Sequence, residues 1–429
     1  MIKPAKIYAQ ALCSGLREGR FGLRGLSLLD QLFFSAANFI LMLTLARYYP
    51  STDVAGYGIG LSIALILQSV QRTLYVVQNA ILPAPVFRRR SAAVMGEHLL
   101  LWGAVISAGL LISVTVFLLF PSAYVAAILE AGIACCLIYT QLDFDRMCLL
   151  KHEKYKDPLI ASVIFFTVNA LIFLLAPYKT LPFGTLMSLI GLYAIFKTIR
   201  LVFLTGRPDF ITGRRLLQRD MRKHLTASAL GVAGFSGFSH IPLFILGTVA
   251  APIHAAAFVA VRALVQPLGI VLRSLDVIDK NIFAASGAGS PDSLKTMLRK
   301  QLFLYGLFAA GACVGILLFG QPVMGWLYAH LYDDFYGVLL GWAAIFAMMA
   351  LTFPLETVIV KQGQLTLYNL WRLGAGATGI ALSMILIPPL GANGAIAACL
   401  GGWLISVLSA FLLVRGTFSD RTKPSRKQA

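Results

Sequence analysis

Residues 256–276 read AAFVAVRALVQPLGIVLRSLD, an almost wholly apolar stretch that nevertheless carries Arg262, Gln266 and Arg273. A run of this length crosses a hydrocarbon layer roughly 30 Å thick. Comparable runs recur along the 429 residues, and we place twelve: 26–46, 54–82, 99–120, 122–142, 158–177, 181–204, 226–249, 253–277, 301–320, 337–360, 367–388 and 393–414. Hydrophobic residues make up 58% of the chain and charged residues 13%, where a soluble protein carries about a quarter. The fold expected is an all-α integral membrane protein. Pro242, Pro267 and Pro354 fall inside spans, where the usual consequence is a bend.

The net charge of +18 raises the question of nucleic acid, and the placement of the basic residues answers it. With the amino terminus inside, the links on the outer side hold only Arg47 and Lys179, which is the positive-inside pattern of a membrane protein. Both termini are then cytoplasmic, and nucleic acid is not an expected partner. The amino-terminal segment 1–25 is basic and shows no cleaved signal peptide. Six dispersed cysteines and six dispersed histidines offer no metal-ligand spacing, so no metal or other cofactor is expected.

The longest cytoplasmic link, 205–225, carries Arg207, Arg214, Arg215, Arg219, Arg222 and Lys223 and divides the spans into two sets of six. It reads as a topology-fixing segment that touches anionic head groups. The expected organisation is a cytoplasmic segment 1–25, an N-lobe 26–204, the basic linker 205–225, a C-lobe 226–414 and a basic tail 415–429. A weak internal repeat supports the division: QRTLYVVQNAIL from Gln71 lies on LRSLDVIDKNIF from Leu272 at an offset of 201. The same offset pairs Ser35 with Ser236 and Asn38 with Ser239. Two halves of six crossings enter the membrane in the same direction, so their pseudo-twofold axis runs along the membrane normal. Halves of this kind rock about a central cavity.

At about 100° per residue, Gln266 and Arg273 fall within about 40° of Arg262 on one helical face. On the second span Gln68, Arg72, Tyr75 and Asn79 form a similar stripe; the first offers Gln31, Ser35 and Asn38, and the seventh Ser236, Ser239 and His240. The simplest arrangement turns these faces toward one hydrated cavity. The candidate substrate-binding residues are therefore Arg262, Gln266, Arg273, Arg72, Gln68, Asn38, Tyr75 and Asn79. Arg72 and Arg273 sit near the cytoplasmic boundary, where snorkelling and substrate contact are both open to them. Arg262 lies about 13 Å inside the outer face, where a lipid-facing charge costs about 2.5–3.5 kcal/mol. Two roles are open to it: an ion pair with Glu130, placed at similar depth, or anion binding in the cavity. Asp30 and Glu356 are further candidates for proton or sodium coupling or for ion pairing. Guanidinium forks suit phosphate oxygens, and amides and hydroxyls suit sugars.

The segment LDQLFFSAANFILMLTLARYYPSTDVAGYGIGLSIALILQ, residues 29–68, resembles the first two helices of the polysaccharide-transporter branch of the multidrug/oligosaccharidyl-lipid/polysaccharide (MOP) flippase superfamily. Asp30-Gln31, Phe34-Ser35, Asn38-Phe39, Ala46-Arg47 and Gly56-Tyr57-Gly58 carry the likeness. VRALVQPLGIVLRSLD, residues 261–276, is similar to the eighth helix of that branch. The resemblance implies a flippase for a polyprenyl-linked glycan in the bacterial cytoplasmic membrane. It would work by alternating access alongside polysaccharide assembly enzymes, with a cationic cavity for the head group.

Two other functions compete. A cation-coupled multidrug exporter of the same superfamily favours an acidic cavity, whereas these stripes hold more arginine than carboxylate. A membrane polysaccharide polymerase or ligase needs a substantial external loop, and the outer links here are short, with no nucleophile–base constellation. His330 with Asp333 and Asp334 reads as a solvated loop. Gly374-Ala375-Gly376 and Gly379 read as a surface for close helix packing.

Overall fold

The computed structural model describes residues 20–76, 79, 82–285 and 291–420. The first half contains α1 (Arg20–Tyr48), α2 (Ser51–Gln71) with a π-helical turn over Arg72–Val76, α3 (Ala84–Leu119), α4 (Ala123–Lys151), α5 (Lys156–Leu175) and α6 (Phe183–Thr205). The second contains α7 (Phe210–Ser239), α8 (Ile241–Val249), α9 (Pro252–Ala285), α10 (Pro291–Tyr328), α11 (Tyr336–Lys361), α12 (Leu365–Leu390) and α13 (Ala392–Asp420). Eleven of these helices are long and apolar enough to span a membrane. The α7–α8 pair, bent by 44°, makes a twelfth if it crosses as one. The protein is a multi-pass membrane protein.

Of Pro242, Pro267 and Pro354, only Pro242 coincides with a break. It occupies the first turn of α8, where a missing backbone N–H costs nothing, and the chain turns at His240 just before it. Pro267 and Pro354 lie within unbroken helices.

The packing repeats between the halves. In the first, α1 packs on α5, α2 on α4, α3 on α4, and α4 on α6. In the second, α7 packs on α12, α9 on α11, α10 on α11, and α11 on α13, which is the same scheme carried six spans onward. Where two backbones approach most closely the residue is glycine. A Cβ at Gly376 would lie 2.7 Å from the Gly234 carbonyl oxygen, and one at Gly379 2.8 Å from Phe238 Cβ, so these glycines let α7 and α12 approach closely. Gly374 has open space instead.

The halves meet through α3 against α7 and through α2 against α9, with α1 also against α9 and α10. A Cβ at Gly58 would lie 2.3 Å from Val259 Cγ2, and Arg47 Nη1 donates to the Leu327 carbonyl at 3.4 Å. These contacts lie on the face opposite the 205–225 link. On the link's own face α7 runs out of the second half and lies along α3 of the first.

Candidate functional site

Helix α9 provides the site's axis, and its exposure pattern shows which way the site opens. Ala255 through Val261 are all buried, Arg262 is half-buried, and Gln266 and Pro267 are exposed. The helix is therefore sealed on the side opposite the link, and its exposed residues begin at Gln266. Two neighbours fix it: Trp342 Nε1 donates to the Phe258 carbonyl at 3.2 Å, and the Tyr328 hydroxyl to the Ala260 carbonyl at 2.7 Å. The same Trp342 ring lies under the Arg262 guanidinium, 4.8 Å from centroid to Cζ, which positions a cation that insertion into lipid would penalise.

Around Arg262 gather Gln266, Asn38 from α1, Tyr57 and Ser62 from α2, and Tyr139 from α4. The Tyr139 hydroxyl donates to Asn38 Oδ1 at 2.9 Å, while Asn38 Nδ2 donates to the Phe34 carbonyl at 2.8 Å, so this amide is held in one orientation. The space enclosed is about 30 Å³, room for roughly two waters and far too little for a sugar. In this conformation the polar group is pinched between the halves. Arginine is the only charged residue lining it among the described residues. Across α9 lies a second, apolar space of about 230 Å³, lined by Phe39, Leu264, Val265 and Pro267 and by α10 residues from Gly315 to Leu327.

The other expected members are dispersed. Gln68 donates to Asp143 Oδ2 at 3.1 Å, on the α2–α4 seam. Arg72 is exposed. Tyr75 departs from the expected cavity position: it is fully buried among Phe87, Val94 and Phe144, and its hydroxyl lies 2.6 Å from His98 Nδ1. Asn79 is buried too, its amide donating to the Tyr75 carbonyl at 2.9 Å. The cause is the π-helical turn at Arg72–Val76, which is wider than an α-turn and rotates Tyr75 and Asn79 away from a 100° wheel. The Arg273 side chain lies outside the described residues.

The three acids all find other settings. Glu130 makes no ion pair with Arg262. Its carboxylate lies against Gly184 of α6, where a Cβ would be 3.0 Å from Oε1, and it senses Asp53. Equal depth did not bring equal azimuth. Asp30 is buried, with Oδ2 2.6 Å from Arg146 Nε and Oδ1 accepting from the Ser162 hydroxyl. Glu356 Oε1 accepts from Arg372 Nη1 and from the Tyr368 hydroxyl, each at 3.2 Å. His330 Nδ1 lies 2.6 Å from Asp333 Oδ2 on an exposed loop.

Sequence reasoning missed Tyr57, Ser62, Tyr139 and Trp342, all ordinary-looking residues in apolar helices. It also missed the second buried pair, Lys197 Nζ to Asp145 Oδ2 at 2.9 Å. Ser236, Ser239 and His240 are buried at the α7–α8 break. Their Oγ and Nδ1 atoms lack protein partners, and the ring lies within electrostatic range of Arg262. Among the described residues no cluster of three His, Cys, Asp or Glu is placed to hold a metal ion.

Fold and site together define a multi-pass helical protein whose halves close on a small cationic pocket. No family model and no curated protein matches the sequence. Solved structures do match in fold. The chain is similar to the lipid II flippase MurJ in an inward closed conformation, at 12% identity over 90% of this chain and 86% of that one, TM-score 0.69. It is also similar to the eukaryotic MATE transporter AtDTX14, at 15% identity over 93% and 98%, TM-score 0.60. A MOP superfamily transporter from Pyrococcus furiosus, described as having reverse polarity of its binding pocket, matches at 15% identity over 94% of both chains, TM-score 0.52. MurJ and the MATE transporters are MOP superfamily members, and the fold here is theirs.

Proposed function

We propose that this protein is a flippase that carries a polyprenyl-diphosphate-linked oligosaccharide from the inner to the outer leaflet of a bacterial cytoplasmic membrane, supplying polysaccharide assembly enzymes. The observation that carries the reading is Arg262, braced on Trp342 at the seam between halves, in a pocket whose lining holds amides and hydroxyls but no carboxylate. Guanidinium would hold the diphosphate; Gln266, Asn38 and Ser62 would exchange hydrogen bonds with the first sugar. The apolar space across α9 lies one helix-width away, a spacing suited to a substrate with a polar head and an isoprenoid tail. Rocking of the halves would widen the pinched pocket toward the link, cytoplasmic by the distribution of basic residues, and then toward the other face.

The test is reconstitution into vesicles with a fluorescent lipid-linked oligosaccharide, scored by quenching in the outer leaflet. Wild type is expected to raise the transfer rate at least tenfold over Arg262→Ala. Equal rates, or efflux of organic cations in place of lipid transfer, would favour the exporter. Imposed proton and sodium gradients in the same vesicles identify any coupling ion.

A further inference from the structure

Helix α3 is 36 residues long, about 54 Å at 1.5 Å per residue, and its last 20 residues suffice for the membrane. Residues 84–98 therefore project beyond it on the face that carries the link. Against this projection lies the start of α7, the one helix that begins on the first half and ends in the second. Asp209 N donates to the Ala92 carbonyl at 2.8 Å. A Cβ at Gly96 would lie 2.1 Å from the Asp209 carbonyl oxygen, and one at Gly213 2.4 Å from Glu97 N. At its far end the same helix is locked onto α12, where a Cβ at Gly234 would lie 2.8 Å from the Arg372 carbonyl carbon. The helix is a rigid strut between the halves, clamped at both ends by backbone contact.

Inside the first clamp sits Glu97. Its side chain is 0% exposed, and neither carboxylate oxygen has a hydrogen-bond partner. A carboxylate in that setting is costly, and a protonated carboxyl far less so. A second buried acid, Asp220 of α7, acts on it, and Arg219, whose Nε donates to Asp220 Oδ1 at 2.7 Å, opposes that effect. From the π-helical turn the Tyr75 hydroxyl lies within electrostatic range of it. The neighbouring His98 is turned away and fully engaged: Nε2 lies 2.6 Å from Gln141 Oε1 on α4, and Nδ1 accepts from Tyr75 and Gln71. Lys197 of α6 is occupied by Asp145. Among the described residues no cation contacts Glu97 directly.

We infer that Glu97 is a proton-binding site whose occupancy decides whether the linker helix docks on the first half, so that proton binding on the link's face controls the strut between the halves. Burial, then the Asp220 charge, push the Glu97 carboxyl up to about 8 from 4.5, against the pull of Arg219. The docked form thus holds its proton where the released form has lost it. Docking is fully favoured below the ordinary carboxylate value and weakens by up to about tenfold per pH unit from there to about 8. Above that it changes no further. The site is independent of which substrate the central pocket takes.

Double electron–electron resonance between spin labels at Lys156 on the first half and Gln218 on α7, both exposed, reads the docking directly in the full chain without substrate. Wild type should show one distance at pH 5 and a growing second, longer population between pH 5 and 8. Glu97→Gln, a neutral isostere, should keep the single distance throughout. Asp220→Asn should move the transition to lower pH and Arg219→Gln to higher pH, opposite shifts that a general loss of folding cannot mimic. A wild-type distribution that does not change from pH 5 to 9, or a Glu97→Gln response identical to wild type, overturns the proposal and leaves the flippase reading untouched.

Discussion

Arg262 was legible in the sequence because a charge deep in an apolar run needs a reason, and the structure supplies one in the Trp342 face and the polar neighbours. Its partner was not legible. Depth along a helix follows from counting residues, but which neighbour a side chain meets depends on the rotation of two helices, and Glu130 turned toward α6. Tyr139 and Asn38 show the same limit, since their 2.9 Å hydrogen bond joins residues 101 positions apart. Arg262→Lys should recover only part of the transfer rate lost in Arg262→Ala, because ammonium lacks the planar fork and stacks less well on Trp342. Tyr139→Phe frees the Asn38 amide at a cost of about 1 kcal/mol, roughly a fivefold drop in the same vesicle assay. An effect of Tyr139→Phe as large as that of Arg262→Ala would mean the hydroxyl touches substrate itself.

Among elements, helix existence follows from hydropathy: six of the expected spans lie within single helices, and four more overrun one by no more than two residues. The exceptions are informative. The second span continues through a π-turn, and no propensity in RTLYV announces it, so the expected stripe lost Tyr75 and Asn79 to the first half's own packing. The seventh breaks at His240, and there Pro242 did announce it. Glycines set how close elements come. Gly58→Leu cannot coexist with the present contact to Val259, so the halves should part on the face opposite the link. A cysteine at Ala256, buried now, should then react with an impermeant maleimide added from that face, and should stay unreactive with Gly58 intact. The α4–α6 seam makes a separate prediction. Asp145 and Lys197 are 4% and 6% exposed, so Lys197→Met alone strands a buried carboxylate and should cost about 3–5 kcal/mol. Adding Asp145→Leu should restore most of the loss in thermal unfolding in detergent, because an apolar pair replaces an ion pair at little net cost.

For the whole molecule, the repeated packing scheme is what a single faint offset of 201 residues hinted at: the contacts repeat although the side chains hardly do. Packing constrains size and shape at a seam far more than identity, which is why the fold persists at 12–15% identity to transporters with different substrates. Substrate class is therefore carried by few residues, and direction of transport by charge. The link's exposed Arg214 and the opposite face's exposed Lys179 stand for the two sides. If basic residues are retained inside, a lone cysteine at position 179 should react with an impermeant maleimide on intact cells, and one at 214 only after the membrane is opened. The same labelling fixes what the pocket's opening means. Arg262 lies on the link's side of the buried Ala255–Val261 stretch, so labelling at 214 from outside would put the sealed side inside and reverse the proposed direction of transfer. With 214 inside, the contact of Gly58 with Val259 lies on the outer side, and it is the barrier that must open for the proposed release.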